Sequence, residues 1–142
     1  MIAGQVHDLE GERQPPNAEL LETIHRAKTG ALLSACVRGG AILGGASEAD
    51  LPLLTRYASA IGLAFQVVDD VLDATAGGEQ LGKTAGKDEA AGKATYVSIH
   101  GLERSHEMAE QERVRCHEAL SIFDDRARWL RELADLIVHR KN

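Results

Sequence analysis

The chain has 142 residues, carries 16 Lys plus Arg against 22 Asp plus Glu, and has a formal net charge of −6. An acidic chain of this length is a poor partner for nucleic acid, and 44% apolar with 27% charged residues excludes a disordered or fibrous polymer. Aromatics are only 4%, so the core has to be built from Ala, Leu, Val and Ile, and the expected fold class is all-α.

Met1 to Leu9 shows apolar periodicity from residue 2 with no capping residue ahead of it, and reads as the middle of a helix. Asp8, Glu10 and Glu12 are incompatible with the apolar segment of a signal peptide, so the expected location is cytoplasmic. Glu10 to Pro16 is polar, ends in a proline pair and reads as a loop, after which Asn17 makes a good N-cap. From Ala18 to about Ala46, Leu20, Leu21, Ile24, Ala27, Ala31, Leu32 and Ala35 recur at helical spacing, and the pairs Gly39-Gly40 and Gly44-Gly45 weaken the end. The most apolar stretch, Ala31 to Ala46, is interrupted by Arg38 and falls short of the ~20 residues that a membrane span needs. No span is expected.

Ser47 caps a second long helix that runs through Leu54, Ile61, Phe65, Val68 and Leu72 and ends at Gly77-Gly78. Residues 77–93 hold five glycines and three lysines and predict a long, mobile, basic-tipped loop. A short apolar turn after Thr95-Tyr96 leads into a charged helix from Leu102 to about Asp125, with its seam at Leu102, Ala109, Cys116, Leu120 and Phe123. A last helix covers Trp129 to His139. Cys36 and Cys116 have no partner at metal or redox spacing and are expected to be reduced.

One pattern stands out. Gln66, Asp69, Asp70 and Asp73 fall at i, i+3, i+4 and i+7 and so share a helix face, opposite Ile61, Ala64, Val68, Val71 and Leu72. Many amphipathic helices have an acidic side, but from Tyr57 to Gly82 there is no Lys or Arg, so these carboxylates lack a local counter-charge. Asp69 and Asp73 stand ~6 Å apart along the axis and repel unless a cation lies beside them. Hard oxygen ligands suit Mg²⁺, with Mn²⁺ an acceptable substitute, and Mg²⁺ commonly shares its remaining sites with substrate phosphates. Lys83, Lys87 and Lys93 in the following loop are cations suited to the same diphosphate, although alone they read as solvated loop charges. Lys28 lies between Ile24 and Leu32 on an apolar face, either snorkelling to solvent or pointing into a cavity, and Thr29 adds a hydroxyl beside it. Asp124-Asp125, by contrast, is followed by Arg126 and Arg128 and reads as a self-neutralised structural pair near a helix end.

Gly4-Gln5-x-x-Asp8-Leu9, His25-Arg26-x-Lys28-Thr29-Gly30, Gly62-Leu63-Ala64-Phe65-Gln66-Val67-Val68-Asp69-Asp70-Val71-Leu72-Asp73, Gly82-Lys83-x-x-Gly86-Lys87-Asp88 and Lys93-x-Thr95-Tyr96 follow one another in order. With them the chain closely resembles trans-isoprenyl diphosphate synthases, nearest to the bacterial farnesyl or geranyl type. The resemblance implies the helical bundle of the isoprenoid synthases around a deep cavity. There an allylic diphosphate ionises with Mg²⁺ and isopentenyl diphosphate attacks the carbocation. It further implies that Asp69 is the principal Mg²⁺ ligand, with Asp70 and Asp73 acting directly or through water. Lys28 and Lys83 would grip the allylic diphosphate, so that Lys28, Asp69 and Lys83 carry catalysis. Thr29, Phe65 and Gln66 would line the allylic pocket, Gln5 and Asp8 would face the reacting chain, and Lys87, Asp88 and Lys93 would belong to a closing loop. The family's first aspartate-rich motif, which lies upstream of the Gly-Gln motif, has no counterpart in this sequence. Residues 1–142 are therefore expected to be a single partial domain, the C-terminal half of a synthase, inactive alone and paired as a homodimer when whole. The alternative is a non-catalytic partner subunit that keeps the helical interface. A terpene cyclase fits less well, because the Lys-Thr pair and the lysine-rich loop look like the chain-elongating enzymes.

Overall fold

The computed structural model describes residues 1–11, 15, 17–75 and 94–140, and every regular element among them is helical. Helix α1 covers Ile2–Gly11, so it reaches into the segment expected to be a loop; residues 12–14 and 16 lie outside the described residues. Helix α2, Ala18–His25, begins where Asn17 accepts hydrogen bonds from the backbone of Glu19 at 2.8 Å and Leu20 at 3.3 Å, two amides with no partner inside the helix. The chain continues through a π-helical turn, Arg26–Gly30, into α3, Ala31–Leu43. The expected single helix is thus continuous apart from one widened turn. It passes through Gly39-Gly40 and stops at Leu43, where Gly45 takes the left-handed φ of +77° that favours glycine.

Helix α4, Asp50–Thr75, is the centre of the molecule. Ser47 and Asp50 cap it reciprocally: the Ser47 hydroxyl donates to the Asp50 carboxylate at 2.8 Å, while the Asp50 amide donates to the Ser47 hydroxyl at 3.3 Å. These bonds hold the Asp50 carboxyl below its ordinary range. By length and composition α4, rather than Ala31–Ala46, is the helix that could cross a membrane, but here its apolar face is buried in protein. Ile61, Ala64, Val68 and Val71 are buried, as the opposite-face reading predicts. The expected terminator Gly77-Gly78 and the whole 77–93 segment lie outside the described residues.

The turn expected after Thr95 is a short helix, α5, Tyr96–His100, started by a reciprocal Thr95–Ser98 cap. Helix α6 covers Leu102–Ala119 and ends six residues before the expected Asp125. The reason is the guanidinium of Arg131, which donates to the carbonyls of Leu120 at 2.8 Å, Asp124 at 3.1 Å and Phe123, and so satisfies acceptors that a longer helix would have used. Asp124 then caps a 3₁₀ turn, Asp125–Ala127, by accepting from the backbone and side chain of Arg126, both at 2.9 Å. Asp124 is neutralised by Arg126 as read, but Arg128 pairs with Glu132 instead, and the acidic pair opens a turn rather than closing a helix. Helix α7, Arg128–His139, completes the described chain.

Two clusters form the core. Leu54, Tyr57 and Ile61 of α4 pack with Cys116, Ala119 and Leu120 of the α6 end and with Ala134 of α7. Further along α4, Leu63, Val67 and Val68 pack with Leu21, Tyr96 and Ala109. Tyr57 is fully buried, and its hydroxyl donates to the Leu130 carbonyl at 2.9 Å. Burial pushes the Cys116 thiol up to about 12, so it is an inert apolar filler, whereas Cys36 is an exposed free thiol.

Two glycines set where the π turn sits. A Cβ on Gly4 would lie 2.4 Å from the Lys28 amide nitrogen, and one on Gly62 would lie 3.0 Å from the Gly30 Cα. Backbones therefore touch on both sides of Arg26–Gly30, with α1 on one flank and α4 on the other. This contact places Lys28 and Thr29.

Candidate functional site

The π turn carries Lys28 and Thr29, and with Gln5, Met1, Ile2 and Leu32 they line a recess of about 430 Å³ between α1 and the α2–α3 region. Widened turns of this kind are rare and recur at functional positions. Lys28 does not simply snorkel. Its Nζ donates to the Asp8 carboxylate at 2.7 Å, a contact that crosses from the turn to α1. Asp8 and Lys28 are both only partly exposed, at 21% and 36%, which makes the pair more than a surface decoration.

On α4 the four stripe residues diverge in their partners. Asp69 accepts from Arg140 Nη2 at 2.7 Å, so the stripe does have a counter-charge, supplied from the end of α7, 71 positions away in sequence and therefore invisible to any local count. The same guanidinium lies 4.4 Å from the centroid of the Phe65 ring. Asp70 accepts from the Tyr96 amide at 2.7 Å and so fixes the start of α5 to α4. Gln66 and Asp73 are half-buried. Lys83, Lys87, Asp88 and Lys93 lie outside the described residues.

His25 links the two halves. Its ring is tilted against Tyr96 with centroids 5.4 Å apart, and among the described residues its buried Nδ1 has no hydrogen-bond partner, nor has the buried Tyr96 hydroxyl. Burial is the main cause that pushes the imidazole down to about 4; Lys28 works in the same direction and is opposed by Asp8 and Asp69. The ring thus feels charges from both the basic turn and the acidic stripe. Burial also raises the Tyr96 phenol.

Sequence reasoning missed Arg140 and the central place of His25. His25 and Tyr96 do stand inside the quoted motifs, whereas no periodicity ties Arg140 to residue 69.

A divalent cation fits this stripe in a restricted way. Among the described residues no three His, Cys, Asp or Glu side chains converge into a cage. Mg²⁺ does not require one, because it is commonly held by one or two carboxylates with water and phosphate oxygens completing the octahedron. Asp69, exposed to 58% and already drawing a cation to 2.7 Å, has the chemistry of such a ligand.

The polyprenyl synthetase family model matches residues 1–127. The chain is 50% identical over its whole length to geranylgeranyl pyrophosphate synthase 10 of Arabidopsis thaliana, covering 43% of that protein. It is 49% identical to a dimethylallyltranstransferase of Fischerella ambigua, with 99% of the chain and 41% of the relative covered. Among solved structures, the polyprenyl synthase of Caulobacter crescentus, complexed with calcium and isoprenyl diphosphate, superposes with a TM-score of 0.83 at 27% identity, over 99% of this chain and 56% of that one. The fold is that of the isoprenoid-synthase helical bundle, and the chain spans about half the length of the relatives it matches.

Proposed function

The chain belongs to the polyprenyl synthetase family, and from that premise we propose that it is part of a Mg²⁺-dependent prenyltransferase. The reaction joins isopentenyl diphosphate to an allylic diphosphate, with products of the geranyl or farnesyl type. The observation that carries this reading is Lys28, held in a glycine-flanked π turn that packs against α4, the helix of the acidic stripe, and lining a recess of about 430 Å³. A site for a metal-bound diphosphate needs that combination of one cationic and one acidic wall.

In the reaction the allylic C–O bond breaks with its electron pair leaving on the diphosphate. The double bond of isopentenyl diphosphate then attacks the cation, and a proton is lost. When bound, Mg²⁺ supplies charge neutralisation of the departing diphosphate. Asp69 would be its principal holder, with Asp70 and Asp73 acting directly or through water; Asp70 also accepts from the Tyr96 amide. Lys28 meets diphosphate oxygens once Asp8 gives it up, and Thr29 and Gln5 orient the ligand beside it. Phe65 and Gln66 border the allylic chain, and a wall poor in nucleophiles protects the cation from water. Lys83 and Lys93 complete the phosphate grip in this proposal on the strength of the resemblance alone. The whole protein works as a cytoplasmic homodimer.

A second reading, a non-catalytic partner subunit, is favoured by one feature. Apolar residues on α1 and α3 are exposed, with Ile2 at 80%, Leu9 at 57%, Ile42 at 57% and Leu43 at 91%. Such faces call for a covering surface.

The whole protein, incubated with labelled isopentenyl diphosphate and geranyl or dimethylallyl diphosphate, is expected to form a longer prenyl diphosphate. EDTA should abolish the product, and Mg²⁺ or Mn²⁺ should restore it. Product formation indifferent to EDTA contradicts the proposal, and complete inactivity with every allylic primer favours the partner subunit.

A further inference from the structure

We propose that Arg140 is a built-in counter-ion for Asp69, which it holds in the absence of a divalent cation and must leave before one binds; the inference rests on the reading of Asp69 as a metal ligand. The guanidinium donates to Asp69 Oδ1 at 2.7 Å and covers the Phe65 ring at 4.4 Å. It is far less exposed than its partner, 22% against 58%. A guanidinium and an inner-sphere metal ion on the same carboxylate would lie within a few ångströms of each other, and two cations at that distance repel. Loading is therefore a competition.

The seat of Arg140 is built for release. Its Nε is buried with no hydrogen-bond partner among the described residues, so among them the bound position satisfies the guanidinium incompletely. Its backbone is extended, φ −61° and ψ 146°, directly after His139, the last residue of α7, so the side chain can swing away without unwinding the helix. Phe65 loses its cover when that happens. Metal binding at Asp69 is in this way coupled to exposure of the ring that borders the proposed allylic pocket, and the cation and the prenyl chain report to each other through one arginine.

The test is a titration of the whole protein with Mn²⁺, without substrate, followed by the electron paramagnetic resonance signal of the free ion. R140Q is expected to bind Mn²⁺ roughly twofold to fivefold more tightly than the parent, the range expected when a partly exposed ion pair no longer competes. R140K, which keeps the charge but loses the planar contact with the ring, should fall between. In a Phe65→Trp background, Mn²⁺ should change the tryptophan emission when Arg140 is present and leave it unchanged in R140Q, a response that loss of charge alone does not produce. Equal affinity of R140Q and parent, with D69N weakened, overturns the counter-ion proposal and leaves the metal site standing. Parental affinity in D69N removes Asp69 as a ligand and with it the premise. Should R140Q not fold, as judged by circular dichroism, R140K with the tryptophan reporter still decides the matter.

Discussion

Replacing Asp69 by alanine is expected to lower turnover by roughly 10²- to 10⁴-fold while the circular dichroism of the whole protein stays that of the parent. The two halves of this expectation have separate causes. Asp69 points away from the packed side of α4, whose burial rests on Val67, Val68 and Val71, and its ion pair to Arg140 is of the partly exposed kind worth about 0–1 kcal/mol. The fold loses little. The departing diphosphate loses the carboxylate that would hold its metal ion, and that interaction is strongest as charge develops in the transition state. Loss of helicity in the variant would instead make the stripe a structural feature. Asp70 differs here, since its bond to the Tyr96 amide ties α5 to α4.

Acidification is expected to expose His25. Its imidazole titrates at about 4 in the folded chain against an ordinary 6.5, so between these pH values the unfolded chain binds a proton that the folded chain refuses. Stability from this residue is complete above pH 6.5 and is lost progressively as pH falls towards 4, by up to about 3 kcal/mol. Denaturant unfolding of the parent and of His25→Gln, compared from pH 7 to 4, should show the parent's advantage shrinking over that window. Parallel curves would mean that the ring protonates as freely in the folded state as in the unfolded one.

The helices and the acidic stripe were legible in the sequence because both depend on local spacing. Asn17, Ser47 and Thr95 cap helices through bonds to residues two or three positions away, and the buried side of α4 follows from its period. What escaped depends on contacts between distant segments. The end of α6 is set by Arg131, eight to eleven residues downstream of two of the carbonyls it satisfies. The π turn between α2 and α3 accompanies close backbone packing at Gly4 and Gly62, and no residue of Arg26–Gly30 announces it. The counter-charge of Asp69 comes from Arg140, across the whole second half of the chain. Lys28 shows the intermediate case. Its position on an apolar face marked it as unusual, but only the structure identifies Asp8 as its partner. Lys83 and Lys93, which only the family resemblance assigns, stand outside the described residues.

The proposed function makes this chain one wall of a prenyl-transfer site and assigns the other to the part of the relatives that the chain does not span. The most direct measurement is prenyl chain extension by the purified 142-residue chain, assayed alone and after fusion to the upstream half of a relative. The account predicts no product from the chain alone and Mg²⁺-dependent product from the fusion. Extension of the allylic diphosphate by the chain alone would contradict it.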